Sequence, residues 1–417
     1  MQGPLSTIRH ALARGDGHAA LAAARAWSRS SPTEPKAWQA LGYVAYRLGQ
    51  GAEAVAALEQ ALALDPEDPS AQRMLANVLT AQGAPAAYAR LETAARRTLA
   101  KAPTCAEAHV NLGIALARQG RAHEAEAAYR NALAVDPRSH LAHAGIAEIA
   151  LADGRLDEAV RHFRQALAER LARAQISPFA PASAARPFDR PEHLALLWHT
   201  LVQLAAAGFS AFATAGTLLG LVREGKLLAH DKDLDIGLPY AQLGRAFVFL
   251  QDHGWQAEPN PLRLVNPLAL RHQSGLALDL LGYLDTGTEI VGGFWQAGQA
   301  WEQQRVTVFP SPLDLEQVTS PAGPIWALRQ PERWLEALYG NWRQPDPHFD
   351  AVIAARNLRA FSPLVEAYAL MRLDDHLHHG RLAKARAIAQ ACLRHRPHDR
   401  LYQAVVDAVR RTLAQTP

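Results

Sequence analysis

The sequence predicts a multidomain protein: an all-α superhelix of helical repeats, then an α+β domain, then a short helical repeat at the C-terminus. Three observations predict this order. Small and large apolar residues recur with a period of 34 residues in the first part of the chain, which is typical of stacked helical hairpins. A proline-rich segment follows them. Beyond that segment, tryptophans, glycines and short β-like runs replace the helical pattern.

The repeated positions follow the spacing of a tetratricopeptide repeat. One copy begins after residue 34, two others begin at Ala106 and His140, and a weaker copy occupies residues 1–34. Small residues at the shared positions let two antiparallel helices approach closely, and a proline ends the second helix. In the copy after residue 34 these positions hold Trp38, Leu41, Gly42, Ala45, Gly49, Ala54, Leu58, Ala61 and Pro66.

A fifth copy begins at Pro69 and is three residues longer than the others, because the next one starts only at Ala106. Five such units predict a right-handed tetratricopeptide superhelix with a concave groove. Such grooves recruit partner proteins in many unrelated systems, so the groove residues alone do not identify a ligand.

The same register returns near the C-terminus, which indicates a sixth repeat and a cap. We therefore predict a tetratricopeptide array over 1–174, a proline-rich linker over 175–191, an α+β domain over 192–350 and a C-terminal helical cap over 351–417. The C-terminal positions that keep the register are Gly380, Ala385 and Pro397.

Composition excludes several classes of protein. Lys and Arg together number 43 against 40 for Asp and Glu, a balance too near neutral for an electrostatically driven nucleic-acid binder. The only cysteines, Cys105 and Cys392, cannot build a disulfide framework, and no secretion signal is visible, so we expect a cytoplasmic protein. The uncharged run Leu201–Val222 contains polar residues and glycines, so we expect no transmembrane segment.

The candidate chemistry lies in the α+β domain, where Asp233 and Asp235 occur within an apolar strand pattern. Residues i and i+2 of a strand face the same side, so these two carboxylates converge. Such a pair repels itself unless a divalent cation lies between its members. Asp279, between leucines on a second apolar segment, would add a third carboxylate if its strand pairs alongside.

A Gly-Thr turn at Gly216 and Thr217 opens a helix upstream of these carboxylates, and phosphate binds readily at helix N-termini. Carboxylates, metal and phosphate together indicate phosphoryl chemistry. Two other interpretations stay open. An Asp-x-Asp pair on its own is more typical of a solvated turn, and Asp279 could equally be a strand-end residue that caps a turn.

Three segments then carry a resemblance to a known family. They are Ala215–Gly237, with the Gly-Thr turn and the Asp-x-Asp pair, Leu276–Leu281, with Asp279, and Glu332–Pro345, with a Tyr-Gly turn. In this order they resemble the motifs of the LicD/fukutin family, a branch of the nucleotidyltransferase fold. The resemblance covers residues 195 to 350 approximately. It implies an enzyme whose middle domain is an α+β nucleotidyltransferase-like domain.

The family resemblance implies transfer of a phosphate-linked alcohol from a CDP-activated donor, such as CDP-ribitol or CDP-choline, to a glycan or similar hydroxyl. Asp233 and Asp235 would bind Mg²⁺ or Mn²⁺, and Asp279 would complete the site as a metal ligand or as the catalytic base. Donor phosphate would be bound by Gly216, Thr217, Arg223, His230 and Lys232. Ala215 and His230 depart from the family pattern, where Gly and Trp are common, which leaves the donor alcohol open.

Two rival functions remain at this stage. The chain could be a tetratricopeptide adaptor whose middle domain is a relic, although three carboxylates kept in apolar strands argue against this. It could also be a nucleotidylyltransferase that transfers NMP to a protein or small molecule. The same metal site would serve that reaction, so the sequence does not separate the two.

Overall fold

The computed structural model describes residues 3–174, 176 and 187–414. These residues form two compact units, Met1–Ile149 and Ala150–Pro417. The predicted linker over 175–191 lies largely outside the described residues, which include only 176 and 187–191 of it.

Ten helices lie between residues 4 and 172. The odd-numbered helices are α1 (Pro4–Ala13), α3 (Pro35–Arg47), α5 (Pro69–Gln82), α7 (Ala106–Arg118) and α9 (His140–Ala152). The even-numbered ones are α2 (Gly17–Ser30), α4 (Gly51–Leu64), α6 (Pro85–Lys101), α8 (Ala122–Val135) and α10 (Leu156–Ala172). Of these, α1–α2, α3–α4, α5–α6 and α7–α8 pack as helical hairpins, as the 34-residue period predicted.

The packing in the first unit explains the repeat spacing. Tyr129 of α8 is buried between Gly113 of α7 and Gly145 of α9, and a Cβ at either glycine would lie 2.5 or 2.3 Å from its ring. Only glycine therefore lets these helices approach the ring so closely. The three extra residues of the repeat copy that begins at Pro69 lie in its second helix, because α6 has 17 residues where α4 and α8 have 14.

The middle part of the chain is an α+β domain. Its helices are α11 (Pro191–Ala206), α12 (Ala215–Glu224), α13 (Tyr240–Gln251) and α14 (Pro331–Tyr339), with a short 3-10 turn at Trp301–Gln303. Its strands are β1 (Phe212–Ala213), β2 (Asp233–Pro239), β3 (Trp255–Ala257), β4 (Leu264–Asn266), β5 (Leu268–His272), β6 (Ala277–Asp285), β7 (Glu289–Gln296), β8 (Arg305–Pro310), β9 (Leu315–Ser320) and β10 (Gly323–Leu328).

Eight of these strands form one mixed sheet. The order is β1-β2-β6-β5-β3; β7 pairs with the end of β6 and also with β4 and β8, while β9 and β10 form a separate hairpin. β2 and β6 run parallel, and their register places Asp235 beside Asp279. All other pairs are antiparallel. The parallel pair at the centre of the sheet therefore carries all three predicted carboxylates.

The two faces of this pair have different surroundings. Leu234, Ile236 and Leu278 turn to one face, where they are fully buried against apolar side chains of α11 and α13. The other face carries the carboxylates and, further along β6, Tyr283. Tyr283 is buried in a second core with aromatic side chains of β1, β8 and α14. The period-2 alternation of each strand thus separates the core from the candidate site.

Three helices follow the α+β domain: α15 (Pro363–His378), α16 (Leu382–His395) and α17 (Arg400–Ala414). α15 packs on α10, the last helix before the gap, as the first helix of a next repeat would. Arg170 of α10, only 4% exposed, donates to both carboxylate oxygens of Asp374 on α15. The α+β domain is thus inserted between two successive helices of a repeat-like stack.

The two compact units meet at Ile149 and Ala150, so α10 belongs to the second unit. The predicted domain bounds at 174, 191, 350 and 417 stay predictions. β1 is short, because the Phe209 N–H still donates to the Leu204 carbonyl in the last turn of α11. Within the described residues, no helix is long and apolar enough to cross a membrane.

The contact between α10 and α15 predicts a stability effect. Arg170→Met leaves the Asp374 carboxylate, 18% exposed, without its guanidinium partner, so we expect a loss of about 2 kcal/mol or more in the free energy of unfolding. Arg161→Met, at an exposed position of the same helix, is the control and should change stability by less than about 0.5 kcal/mol. Urea unfolding of both variants measures this, and equal stabilities would contradict the assigned packing.

Candidate active site

The candidate site is the polar face of the parallel strand pair. Asp233 and Asp235 alternate with buried leucine and isoleucine on β2, and both are half-buried. Asp279 lies directly beside Asp235 in the register of β6 and shares this orientation. The structure therefore brings together the three carboxylates that the sequence predicted, on one face of one sheet.

The N-terminus of α12 holds Asp235 in place. Its carboxylate Oδ2 accepts the backbone N–H groups of Gly216, at 2.9 Å, and of Thr217, at 3.3 Å. In return, the Asp235 N–H donates to the Thr217 hydroxyl at 2.8 Å. Because helix N-termini favour negative charge, these bonds orient the carboxylate. A role of Gly216 and Thr217 in binding donor phosphate stays a prediction, since both N–H groups are engaged by Asp235 here.

A tight turn connects β1 to α12. Thr214 donates its backbone N–H to the Asp235 carbonyl at 3.1 Å, and the next residue, Ala215, has φ 42°. This is the left-handed region, which glycine adopts at lower cost than any residue with a Cβ. The backbone therefore explains why glycine suits the position where this chain has alanine. The strain lies in the turn that aims the Gly216 and Thr217 N–H groups.

A fourth carboxylate, Asp231, belongs to the same cluster and was not among the predicted site residues. A Cβ built on Gly216 would lie 2.5 Å from Asp231 Oδ2 and 3.2 Å from Asp235 Oδ2. The absence of a side chain at Gly216 thus makes room for both carboxylates. The sequence offered one signal for Asp231, which lies two residues before Asp233 and four before Asp235. Because Asp231 precedes the strand, however, strand alternation does not predict that its side chain faces the same side.

The carboxylates share an unfavourable electrostatic environment. Burial, followed by the charge of Asp233, raises the pKa of Asp231 and of Asp279 to about 7. Burial raises the pKa of Asp235 well above its ordinary value, and the charges of Asp233, Asp231 and Asp279 add to this effect. Burial also raises the pKa of Asp233, against the opposing charges of Lys232 and Arg372. Carboxylates that raise one another's pKa destabilise the folded protein when no cation is bound, and they favour the binding of a cation.

The carboxylate oxygens of this cluster are suitable ligands for a divalent cation. In the described part of the chain, no three acidic, histidine or cysteine side chains form a ready-made metal-binding group. Mg²⁺, however, is usually held by one or two carboxylates together with substrate phosphates and water. Asp235 is oriented by two N–H groups through Oδ2 alone, and Asp233 lies on the same strand face. The donor set therefore suits a cation that binds together with a phosphorylated substrate.

Aromatic side chains form the base of the site. The Tyr283 hydroxyl, on the same face of β6 as Asp279, is 2.7 Å from the Thr214 hydroxyl. Its ring packs on Phe212 and on Trp334, with centroids 5.8 and 5.1 Å apart. Burial, followed by the charges of Asp235 and Asp231, raises the pKa of Tyr339 at the end of α14. The end-of-domain helix α14 also packs against α12, whose N-terminus holds Asp235.

The other predicted donor-binding residues have different positions. Arg223, at the last turn of α12, donates to Glu224 at 2.8 Å and to the Trp342 carbonyl at 3.3 Å, so its guanidinium is engaged away from the carboxylates. His230 and Lys232 are exposed in the loop before β2. Lys232 is close enough to lower the pKa of Asp233. Their assignment to donor phosphate stays a prediction.

Comparison with known families agrees with this organisation. Residues 208–311 match the LicD/FKTN/FKRP nucleotidyltransferase domain. Residues 21–140 match the tetratricopeptide domain of cytochrome c-type biogenesis protein H, and residues 112–181 match a tetratricopeptide repeat. The chain thus carries tetratricopeptide repeats followed by a nucleotidyltransferase domain of a known enzyme family, as its motifs predicted. The domain implies a phosphotransferase of the LicD/fukutin family.

No curated protein matches the chain. Among solved structures, MamA is 23% identical over 40% of this chain and 96% of its own, with a TM-score of 0.33. A tetratricopeptide protein of Thermus thermophilus is 24% identical over 40% of this chain and 89% of its own, with a TM-score of 0.32. PilW, a type IV pilus biogenesis factor, is 22% identical over 41% of this chain and 80% of its own, also with a TM-score of 0.32.

The space at Gly216 predicts a site-specific defect. In Gly216→Ala the new Cβ displaces the Asp231 carboxylate, so we expect Mn²⁺ affinity to fall by about tenfold or more, the usual effect of disturbing groups around a metal ligand. Gly244→Ala is the matched control, because nothing lies within 4 Å of a Cβ there and α13 gains a better helix former. Calorimetric Mn²⁺ titration measures both, and unchanged affinity in Gly216→Ala would remove Asp231 from the site.

Proposed function

We propose that the protein is a metal-dependent phosphotransferase that moves a phospho-alcohol group from a CDP-activated donor to a hydroxyl of a glycan or similar acceptor. Donors of the CDP-ribitol or CDP-choline type fit this proposal. The tetratricopeptide repeats would recruit the acceptor or a partner protein. In this proposal the protein acts in the cytoplasm and binds no nucleic acid.

One observation carries the proposal: the cluster of Asp231, Asp233, Asp235 and Asp279 beside the N-terminus of α12. Asp233 and Asp235 would hold Mg²⁺ or Mn²⁺, with Asp279 as a further ligand or as the base. When bound, the ion neutralises charge on the phosphoryl oxygens during transfer. The N-terminus of α12 orients the Asp235 carboxylate for this role through the Gly216 and Thr217 N–H groups.

The reaction balances as a displacement at phosphorus. The acceptor oxygen forms a bond to the phosphorus that bears the alcohol, the bond from that phosphorus to the bridging oxygen breaks, and CMP leaves with the bridging oxygen. The acceptor proton passes to a carboxylate. Asp279 suits this step, because a pKa of about 7 lets it be ionised before transfer and accept a proton during it.

The two rival functions place different demands on the carboxylate cluster. Transfer of NMP would need the same carboxylates with attack at the other phosphorus, so the metal site is compatible with both reactions. A non-catalytic adaptor has no use for buried carboxylates that raise one another's pKa, since such a cluster costs folding free energy. The electrostatic cost of the cluster therefore favours catalysis over a relic domain.

Replacement of Asp279, the proposed base, tests this mechanism. With Mg²⁺ and a CDP-alcohol donor, Asp279→Asn should lower turnover by about 100-fold or more, the range for loss of a general base, while donor affinity changes less. Single-turnover kinetics with the acceptor in excess separates these two quantities. Asp285→Asn is the control, because this carboxylate lies exposed at the end of the same strand.

The same assay distinguishes His230 from Asp279. His230 is exposed in the loop before β2, so His230→Ala should affect donor affinity more than turnover. If turnover survives in Asp279→Asn but collapses in His230→Ala, the base is His230. If a panel of CDP-alcohols yields no transfer but NTPs yield NMP transfer, the reaction is nucleotidylyl transfer.

A further inference from the structure

We propose that a groove between α10 and α17 binds an acidic peptide segment of a partner protein. The groove has a volume of about 680 Å³, and all residues that line it belong to the second compact unit. The proposal rests on the proposed function only for the purpose of such binding, which is recruitment. The groove itself needs neither metal nor donor, so the two proposals can fail separately.

The groove is built by two repeat-like helices. Arg161, Arg164 and Ala168 line it from α10, where spacings of three and four residues place side chains on one face of a helix. Arg400 and Leu401, the first residues of α17, line it from that helix. α10 packs directly against α17, which fixes the distance between the two walls. The result is an open groove with guanidinium groups on both helices.

Arg164 is held in place by two carboxylates. Its Nη1 donates to Glu366 Oε1 at 2.8 Å, and its Nη2 donates to Asp399 Oδ1 at 3.0 Å. The Glu366 side chain is only 3% exposed and also pairs with Arg396 at 2.7 Å. The charge of Arg164 is therefore neutralised within the protein, and its guanidinium is a fixed part of the groove wall.

The charges of Arg161 and Arg400 are not neutralised in this way. Among the residues that the structure describes, no carboxylate forms an ion pair with either guanidinium, and both residues are exposed. Arg400 is also the first residue of α17, where the partial positive charge of a helix N-terminus disfavours a cation. Helix stability therefore does not explain the cation at Arg400, whereas an anion bound in the groove would.

The turn between α16 and α17 increases the positive charge around the groove. It contains Arg394, Arg396 and Arg400 against one carboxylate, Asp399, which already pairs with Arg164. The linker residues 177–186 follow α10 in sequence and contain neither Asp nor Glu. That part of the chain does not have the charge to occupy the groove, so we assign the occupant to another protein.

The lining residues favour a peptide over other anions. None of them is aromatic, whereas single-stranded nucleic acids are usually bound by stacking of their bases on aromatic rings. A neutral glycan offers no charge for the arginines, while the planar guanidinium matches the geometry of a carboxylate. The Gln165 amide, also in the groove wall, can pair with a peptide backbone group.

The length of the groove sets the length of the bound segment. From Arg161 to Ala168, α10 rises about 10 Å, at ~1.5 Å per residue. An extended peptide rises ~3.3 Å per residue, so about three of its residues lie along this wall. Two acidic side chains in such a segment would suffice to pair with Arg161 and Arg400.

Fluorescence anisotropy of a labelled hexaglutamate peptide tests this proposal, at low ionic strength and without metal or donor. We expect the double substitution Arg161→Met and Arg400→Met to weaken binding by about tenfold or more, the range for hydrogen bonds to charged groups. Added salt should weaken binding by the wild type more than by this variant. The matched control is Arg333→Met with Arg386→Met, which removes the same charge at exposed positions outside the groove and should bind as the wild type does.

Each outcome decides the proposal. Either single substitution should weaken binding in the same direction, so the single variants carry the test if the double variant does not fold. Equal affinities of the groove variant and the control, equally tight binding of neutral hexaglutamine, or no binding of hexaglutamate by the wild type would overturn it. A sulfated glycan that binds through Arg161 and Arg400 where hexaglutamate does not would overturn the peptide partner.

The proposed function is checked separately in the same variants. Metal-dependent transfer to a small hydroxyl acceptor should be unchanged in the groove variant, because its substitutions lie outside the carboxylate cluster. If the wild type binds hexaglutamate through the groove but transfers nothing, the proposed function fails and the groove is retained.

Discussion

The structure of the catalytic domain depends on one pairing, the parallel register of β2 with β6. That register sets Asp235 beside Asp279 and adds Asp233 on the same face, so carboxylates of like charge meet at a half-buried surface. Such a cluster opposes folding unless neighbouring groups compensate it. The compensation comes from the N-terminus of α12 on one side and from Lys232 and Arg372 on the other. A metal ion with a phosphorylated donor would complete it.

The sequence predicted the centre of this arrangement because alternation along a strand is a local property. The period-2 pattern placed Asp233 and Asp235 on one face, and the helix that the Gly-Thr turn was expected to open is α12. Asp231 was missed because it precedes the strand and joins the cluster only through the space at Gly216. Strands β7 to β10 were not predicted, since their burial patterns alternate poorly.

No local sequence pattern could predict that the C-terminal helices lie close to the carboxylate cluster. Arg372 lies more than a hundred residues after Asp233, and only the packing of α15 beside the sheet brings their charges together. The repeat register at Gly380, Ala385 and Pro397 indicated a helical hairpin but not its place. α10 and α15 pack as neighbours although the whole catalytic domain lies between them in sequence. Repeat-like helices and the carboxylate face therefore belong to one compact unit.

The central claim is that the carboxylate face binds a divalent cation jointly with a phosphorylated donor, and Mn²⁺ binding followed by electron paramagnetic resonance tests it most directly. Free Mn²⁺ gives a strong signal that is lost on binding, so affinity can be measured with and without CDP. The account predicts that CDP tightens Mn²⁺ binding by about tenfold or more, a coupling of at least ~1.4 kcal/mol, and that Asp235→Asn abolishes the coupling while the protein stays folded. Equal Mn²⁺ affinity with and without CDP, or unchanged coupling in Asp235→Asn, would contradict it.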